Sequence, residues 1–189
     1  MKKLVLIMMV AIASINAMAN TYPTLNVEGK RSFKLELNDW QNEDLFITII
    51  DEAGEVMHSE NILKAGIARK YSLENLPIGF YKMTIADQSK DIAFDIFVTY
   101  EGVTVNNTGK VYFRPFVKNT DEKIDINLLT IDKKVLVNLL DSEGNIVYTE
   151  KTDKIMKYEK RLDISNLPSG IYSLSLYVEG RTYTNRIEK

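Results

Sequence analysis

The chain has 189 residues, with 24 Lys+Arg against 26 Asp+Glu and no cysteine. Its charges are interspersed and nearly balanced, with no basic stripe, which argues against a surface built to neutralise phosphates and so against nucleic acid as a partner. The missing thiols exclude a disulfide framework, a thiolate metal site and a lipid-modified cysteine, and an apolar content of 45% is too high for a disordered chain.

In chain order, Lys2 and Lys3 precede an unbroken apolar run from Leu4 to Ile12, and Ala17-Met18-Ala19 follows. A positive start, an apolar centre and a small-residue A-x-A site predict a signal peptide over residues 1–19, cut between Ala19 and Asn20. The run is too short to span a bilayer as a helix, and no later segment is long and apolar enough to do so. Without Lys2 and Lys3, 22 Lys+Arg face 26 Asp+Glu, a mild net charge of −4.

The remainder reads as strands, and it reads so twice. At a shift of 90 to 91 positions, Asn75-Leu76-Pro77-Ile78-Gly79-Phe80-Tyr81 lies on Asn166-Leu167-Pro168-Ser169-Gly170-Ile171-Tyr172, and Asp51-Glu52-Ala53-Gly54 on Asp141-Ser142-Glu143-Gly144. Opening strands are expected near Thr24 to Val27 and over Val111 to Lys118. Pro23 and Pro115 mark them as edges, because proline cannot donate to a central ladder. Next, Phe33, Leu35 and Leu37 alternate with polar residues, as do Ile124, Ile126 and Leu128, giving each strand a buried and a wetted face. Leu45 to Ile50 and Val135 to Leu140 are apolar on both faces and suit central strands. Asp51-x-x-Gly54 and Asp141-x-x-Gly144 then supply hairpin turns, Asp at the first place and Gly at the fourth. At the Leu-Pro-x-Gly-x-Tyr stretches, Pro77 and Pro168 preset a turn, and Gly79 and Gly170 give a permissive backbone. Tyr81 and Tyr172 enter the next strand, where a hydroxyl can tie down the corner. Last strands fall near Ile92 to Val98 and Tyr183 to Ile187.

About seven short strands per copy predict an all-β chain of two tandem immunoglobulin-like sandwiches. Copy one is expected over residues 20–100, a polar, turn-rich connection over 101–110 and copy two over 111–189. A unit of about 80 residues without disulfides is only marginally stable, so the copies are expected to touch end to end and support each other.

The residues point away from catalysis, metal and cofactor. His58 is the single histidine, too few for a nucleophile triad or a zinc site. It falls on a strand where copy two has Tyr148, and reads as exposed. The acidic pairs Asp51/Glu52, Asp121/Glu122 and Asp141/Glu143 sit at turns, where Asp serves the backbone; a carboxylate glycoside hydrolase is a distant alternative. Trp40 lies opposite Ile131 in the repeat, so both read as plugs at one end of their sandwich, with sugar stacking by Trp40 as the alternative. Tyr148, Tyr177 and Tyr183 are expected to face out of copy two.

Copy two, with Val135-Leu136-Val137-Asn138-Leu139-Leu140-Asp141-Ser142-Glu143-Gly144-Asn145-Ile146-Val147-Tyr148 and Leu162-Asp163-Ile164-Ser165-Asn166-Leu167-Pro168-Ser169-Gly170-Ile171-Tyr172, resembles the C-terminal sorting domain of type IX secretion substrates from Bacteroidetes. Copy one carries the same motifs more loosely. Related small secreted Bacteroidetes proteins of unknown function share the sandwich. The resemblance implies a sandwich read by an outer-membrane export machinery, and a periplasmic, outer-membrane-associated or extracellular location. The leading expectation is an exported, non-catalytic binding or structural module that meets an envelope protein or a glycan. The alternative is a secretion substrate whose second copy is the sorting signal and whose first copy is the passenger.

Overall fold

The computed structural model describes residues 23–37, 40 and 43–189. The signal peptide and its Ala19–Asn20 cut lie outside the described residues. Alternation sets the strands. In Ser32–Glu36, Phe33 and Leu35 are fully buried while their neighbours are half-exposed. In Val135–Leu140, Val135, Val137 and Leu139 are buried and alternate with half-exposed residues.

Sixteen strands result among the described residues. The first nine are β1 (Thr24–Val27), β2 (Ser32–Glu36), β3 (Leu45–Asp51), β4 (Val56–Ile62), β5 (Ala68–Ser72), β6 (Gly79–Ala86), β7 (Lys90–Val98), β8 (Val103–Val105) and β9 (Lys110–Phe113). The others are β10 (Phe116–Asn119), β11 (Lys123–Lys133), β12 (Val135–Leu140), β13 (Ile146–Lys151), β14 (Ile155–Asp163), β15 (Ile171–Val178) and β16 (Arg181–Glu188). All pairings are antiparallel. One three-stranded sheet, β1-β2-β5, belongs with the larger sheet β4-β3-β6-β7-β8. The second sandwich repeats this as β10-β11-β14 and β13-β12-β15-β16.

Strands β1 to β7 therefore correspond one to one with β10 to β16. In both sandwiches the fourth strand joins the third rather than the fifth. Each sandwich has its own core. Phe33, Leu35, Ile47, Met83, Ile85 and Phe94 belong to one cluster, and Ile126, Val137, Leu139, Leu174, Leu176 and Ile187 to the other. The chain is thus all-β, two immunoglobulin-like sandwiches in tandem.

The segment between the sandwiches departs from expectation. Residues 101–110 are not only connection, because β8 pairs with the end of β7 through Ile96↔Val105 and Val98↔Val103. The single opening strand expected over Val111 to Lys118 is two strands. β9 adds to the start of β7, with Lys90↔Phe113 and Asp91↔Tyr112, whereas β10 pairs with β11. Pro115 stands at the break, where it has no N–H to continue the ladder. The first sandwich thus has its β7 edge covered by strands that follow it in the chain.

Candidate functional site

The two hairpin turns share one construction. The Asp51 carbonyl accepts from Gly54 N at 3.1 Å and Asp51 N donates to Glu55 O at 3.0 Å; for Asp141, Gly144 and Asn145 the distances are 3.1 and 2.9 Å. Gly54 and Gly144 hold φ of 84° and 86°, a left-handed backbone that is cheap only without a Cβ. Asp51 Oδ1 accepts from Glu55 N at 2.8 Å, and Asp141 Oδ1 from Glu143 N and Asn145 N at 2.9 Å each. The side-chain hydrogen bond from Asn145, backed by these backbone donors, holds the Asp141 carboxyl below its ordinary range. Both carboxylates serve their own turn.

The corners also match. Leu76 N donates to Leu73 O at 3.1 Å and Leu167 N to Ile164 O at 3.0 Å. Tyr81 Oη donates to Pro77 O, and Tyr172 Oη to Pro168 O, both at 2.8 Å. Gly79 opens β6 opposite Val98. Gly170 does not take a positive φ; its N and O pair instead with Lys189 O and N at 3.0 Å.

A carboxylate that the sequence reading passed over sits on the fourth strand of each sandwich. Glu60 Oε1 accepts from Tyr71 Oη at 2.6 Å, and Glu150 Oε2 accepts from Tyr148 Oη at 2.6 Å and Tyr158 Oη at 2.8 Å. The bonds from Tyr71 on β5 and Tyr158 on β14 stitch the larger sheet to the smaller one along its open side. Glu60 and Glu150 stand 90 positions apart, so the repeat itself held the signal. Partial burial pushes Glu60 up, but hydrogen bonds from Tyr71 and His58 and the charge of Arg69 outweigh it, leaving the carboxyl low. Glu150 is lowered by the bonds from Tyr148 and Tyr158, with help from Lys160 against burial. A carboxyl whose folded pKa lies below the unfolded value, about 4.3, stabilises the fold above that pH. The contribution is lost as pH falls through the lower folded value. Between pH 7 and pH 3 the second sandwich is therefore expected to lose stability, and Glu150→Gln to lose less. Urea unfolding at the two pH values measures the difference.

His58 lies on β4, its side chain 44% exposed, with Nε2 3.3 Å from Glu60 Oε1. Trp40 is buried, and Lys90 Nζ lies 4.8 Å over its ring. Its counterpart differs from expectation: Ile131 is 48% exposed at φ 50° and plugs nothing. β11 runs on to Lys133 with a register shift after Leu129, and this irregularity carries Ile131 outward. Tyr177 does face out, but Tyr183 turns inward with its hydroxyl buried. Phe80, which is exposed, and Phe97, which is half-buried, form a stacked pair with centroids 4.2 Å apart. Their register counterparts in the second sandwich are Ile171 and Glu188, so the fold does not require the stack.

The densest charged cluster joins the sandwiches. Asp91, at the start of β7, accepts at Oδ1 from Arg114 Nε at 2.7 Å and at Oδ2 from Arg181 Nη1 at 2.5 Å. The Arg181 guanidinium carbon lies 3.6 Å from the centroid of the Tyr112 ring. Arg114 N donates to Ser89 O at 2.8 Å. Beside them, Glu179 Oε1 meets Lys110 Nζ and Lys133 Nζ, each at 3.0 Å. Residues of both sandwiches and of the segment between them meet in this cluster. Among the described residues, no three of His, Cys, Asp or Glu are placed to hold a metal ion.

Residues 110–188 match the family model for the secretion system C-terminal sorting domain. The second sandwich is sorting-domain-like. The match takes in β9 through β16, including the Asp141 turn and the Tyr172 corner, and it marks the protein as exported. No curated protein matches the chain. Among solved structures, the chain is similar to the BSP domain of a biofilm associated protein, at 15% identity and TM-score 0.30, covering 88% of this chain and 28% of that one. It is also similar to a two-domain fibronectin type-III segment from chicken tenascin, at 8% identity and TM-score 0.33, covering 88% and 97%. A third is a β-glucuronidase from Lactobacillus rhamnosus, at 14% identity and TM-score 0.29, covering 84% and 35%. The sorting-domain-like sandwich and its partner contain no helix, among the described residues, long and apolar enough to cross a membrane.

Proposed function

We propose that the protein is an exported, non-catalytic double sandwich whose second unit, over residues 111–189, is read by an outer-membrane export machinery. The first unit, over residues 20–100, is the module delivered, and residues 101–110 connect the two. The observation that carries this reading is the sorting-domain match over residues 110–188. Supporting it, the carboxylates of both hairpin turns are engaged by their own backbones, so they are not poised as an acid and base pair. The two corners are proposed to be structural, each tyrosine hydroxyl contributing about 1 kcal/mol.

Deleting residues 111–189 is expected to abolish surface display in the native host, while a reporter fused ahead of residues 110–189 gains it. Surface proteolysis of intact cells reads both. Unchanged display of the truncated chain overturns the sorting role. In that case the protein is an envelope module held by other contacts, and a pull-down with the double sandwich identifies them.

A further inference from the structure

The repeat provides an internal control for what each end of a sandwich needs. In the first sandwich, the end bounded by the β2–β3 connection and the β6–β7 turn is filled by Trp40, whose ring lies under Lys90. The corresponding end of the second sandwich lies between the β11–β12 connection and the β15–β16 turn. There Ile131, 48% exposed, stands at the mouth of a cavity of about 200 Å³ walled by Val111, Phe113, Leu129 and Val178 with Thr130 and Tyr183.

Three further observations converge on this cavity. The Tyr183 hydroxyl is buried and has no hydrogen-bond partner, an arrangement that costs a folded protein stability. The nearby Thr130 hydroxyl donates to Ile155 O and makes no bond to Tyr183. Two of the four non-glycine residues with positive φ among the described residues stand at this rim outside a regular hairpin turn, Ile131 at 50° and Asp132 at 63°, whereas Glu179 at 52° forms the two-residue β15–β16 turn with Gly180. Strained backbone of this kind persists where the surroundings over-determine it, and it clusters at binding sites. Finally, Lys110 and Lys133 share the single carboxylate of Glu179, so the mouth carries one uncompensated positive charge.

We propose that this cavity binds a small aromatic acid. A flat apolar ring occupies the space that an indole fills in the first sandwich, an acceptor on the ligand takes the Tyr183 proton, and its carboxylate lies against Lys110 and Lys133. Glu179 holds the two lysines at the mouth and repels a cationic ligand of the same shape. The proposal concerns the purified chain and does not depend on how the chain is exported.

Indole-3-acetate is the probe, titrated into the mature double sandwich by calorimetry and by amide chemical shifts. A dissociation constant on the order of 10⁻⁴ M is expected for a ligand this small, with tryptamine at least about tenfold weaker because its charge is reversed. Ile131→Trp restores the filler of the first sandwich and is expected to abolish binding. The site already holds a β-branched residue at φ 50°, so tryptophan adds no new backbone strain. Tyr183→Phe keeps the ring and is expected to weaken binding about fivefold. Circular dichroism and thermal melting show whether each variant is folded. If Ile131→Trp fails to fold, Tyr183→Phe and Lys133→Met carry the test. No saturable binding of indole-3-acetate up to several millimolar overturns the site, as does wild-type affinity in the folded variants.

Discussion

Leu174→Ala is expected to lower the melting temperature of the protein by about 6–12 °C. Leu174 is fully buried on β15, flanked in the ladder by Leu139 of β12 and Asn185 of β16. It touches the middle of a core made from both sheets, so little nearby chain is free to collapse into the space left. Truncating leucine to alanine at such a place costs about 3–5 kcal/mol, through lost transfer energy and a residual cavity. A sandwich of about 80 residues holds a total margin of roughly 4–12 kcal/mol. A loss near 3 kcal/mol shifts the midpoint of a double sandwich that melts in one step by about 2–4 °C per kcal/mol. Tyr177→Ala, on the same strand but half-exposed, is the matched control and is expected to change stability by less than about 1 kcal/mol. Calorimetry of the purified variants gives the comparison. A shift under about 5 °C for Leu174→Ala would show that the second core tolerates a hole at its centre. If export reads a folded sandwich, Leu174→Ala also reduces surface display and Tyr177→Ala does not.

Asp91→Ala is expected to separate the unfolding of the two sandwiches into distinct transitions. Asp91 is 7% exposed and carries two arginines, Arg114 from the break between β9 and β10 and Arg181 from the start of β16. Without the carboxylate, two guanidinium groups face each other beside Tyr112 with nothing to balance them. Removing one partner of such a buried set costs about 3 kcal/mol, toward the lower end of the usual range because Arg114 stays 40% exposed and can turn to water. The loss falls on the junction rather than on either core. The wild-type chain is therefore expected to melt in one step, and Asp91→Ala in two, with faster proteolysis near residues 114–115. Arg181→Ala should act in the same direction, and the double variant should cost less than the sum of the two, since both remove the same contact. Full additivity would assign the coupling of the sandwiches to the β7–β9 ladder alone.

Much of the fold was legible in the order of residues because its causes are local. Alternation with period two decides which side of a strand is buried, and Phe33, Leu35, Ile124 and Ile126 show it without any knowledge of partners. Asp at the first and Gly at the fourth place of a turn act within a few bonds, so Asp51-x-x-Gly54 and Asp141-x-x-Gly144 announce hairpins wherever they occur. The self-similarity at 90 to 91 positions then shows that whatever one half builds, the other builds again. The less legible features all depend on what lies across space. Val103-Thr104-Val105 alternates as a strand should, but nothing local says that it and Lys110–Phe113 will cover the edge of β7. Ile131 was expected to mirror Trp40. A register shift in β11 carries it outward, to the mouth of a cavity.

The order of amino acids alone determined the all-β class, the double sandwich, the turn chemistry and the likeness of the second unit to a sorting domain. The first three follow from contacts between near neighbours or from repetition, and the last from resemblance to a known family. Only the tertiary structure decided which strand edge is covered, that Asp91 holds Arg114 and Arg181, that Tyr183 faces inward and that Glu60 and Glu150 stitch sheet to sheet. Those contacts join residues from 8 to 90 positions apart, and their geometry exists only once both sheets have packed and the two sandwiches have met.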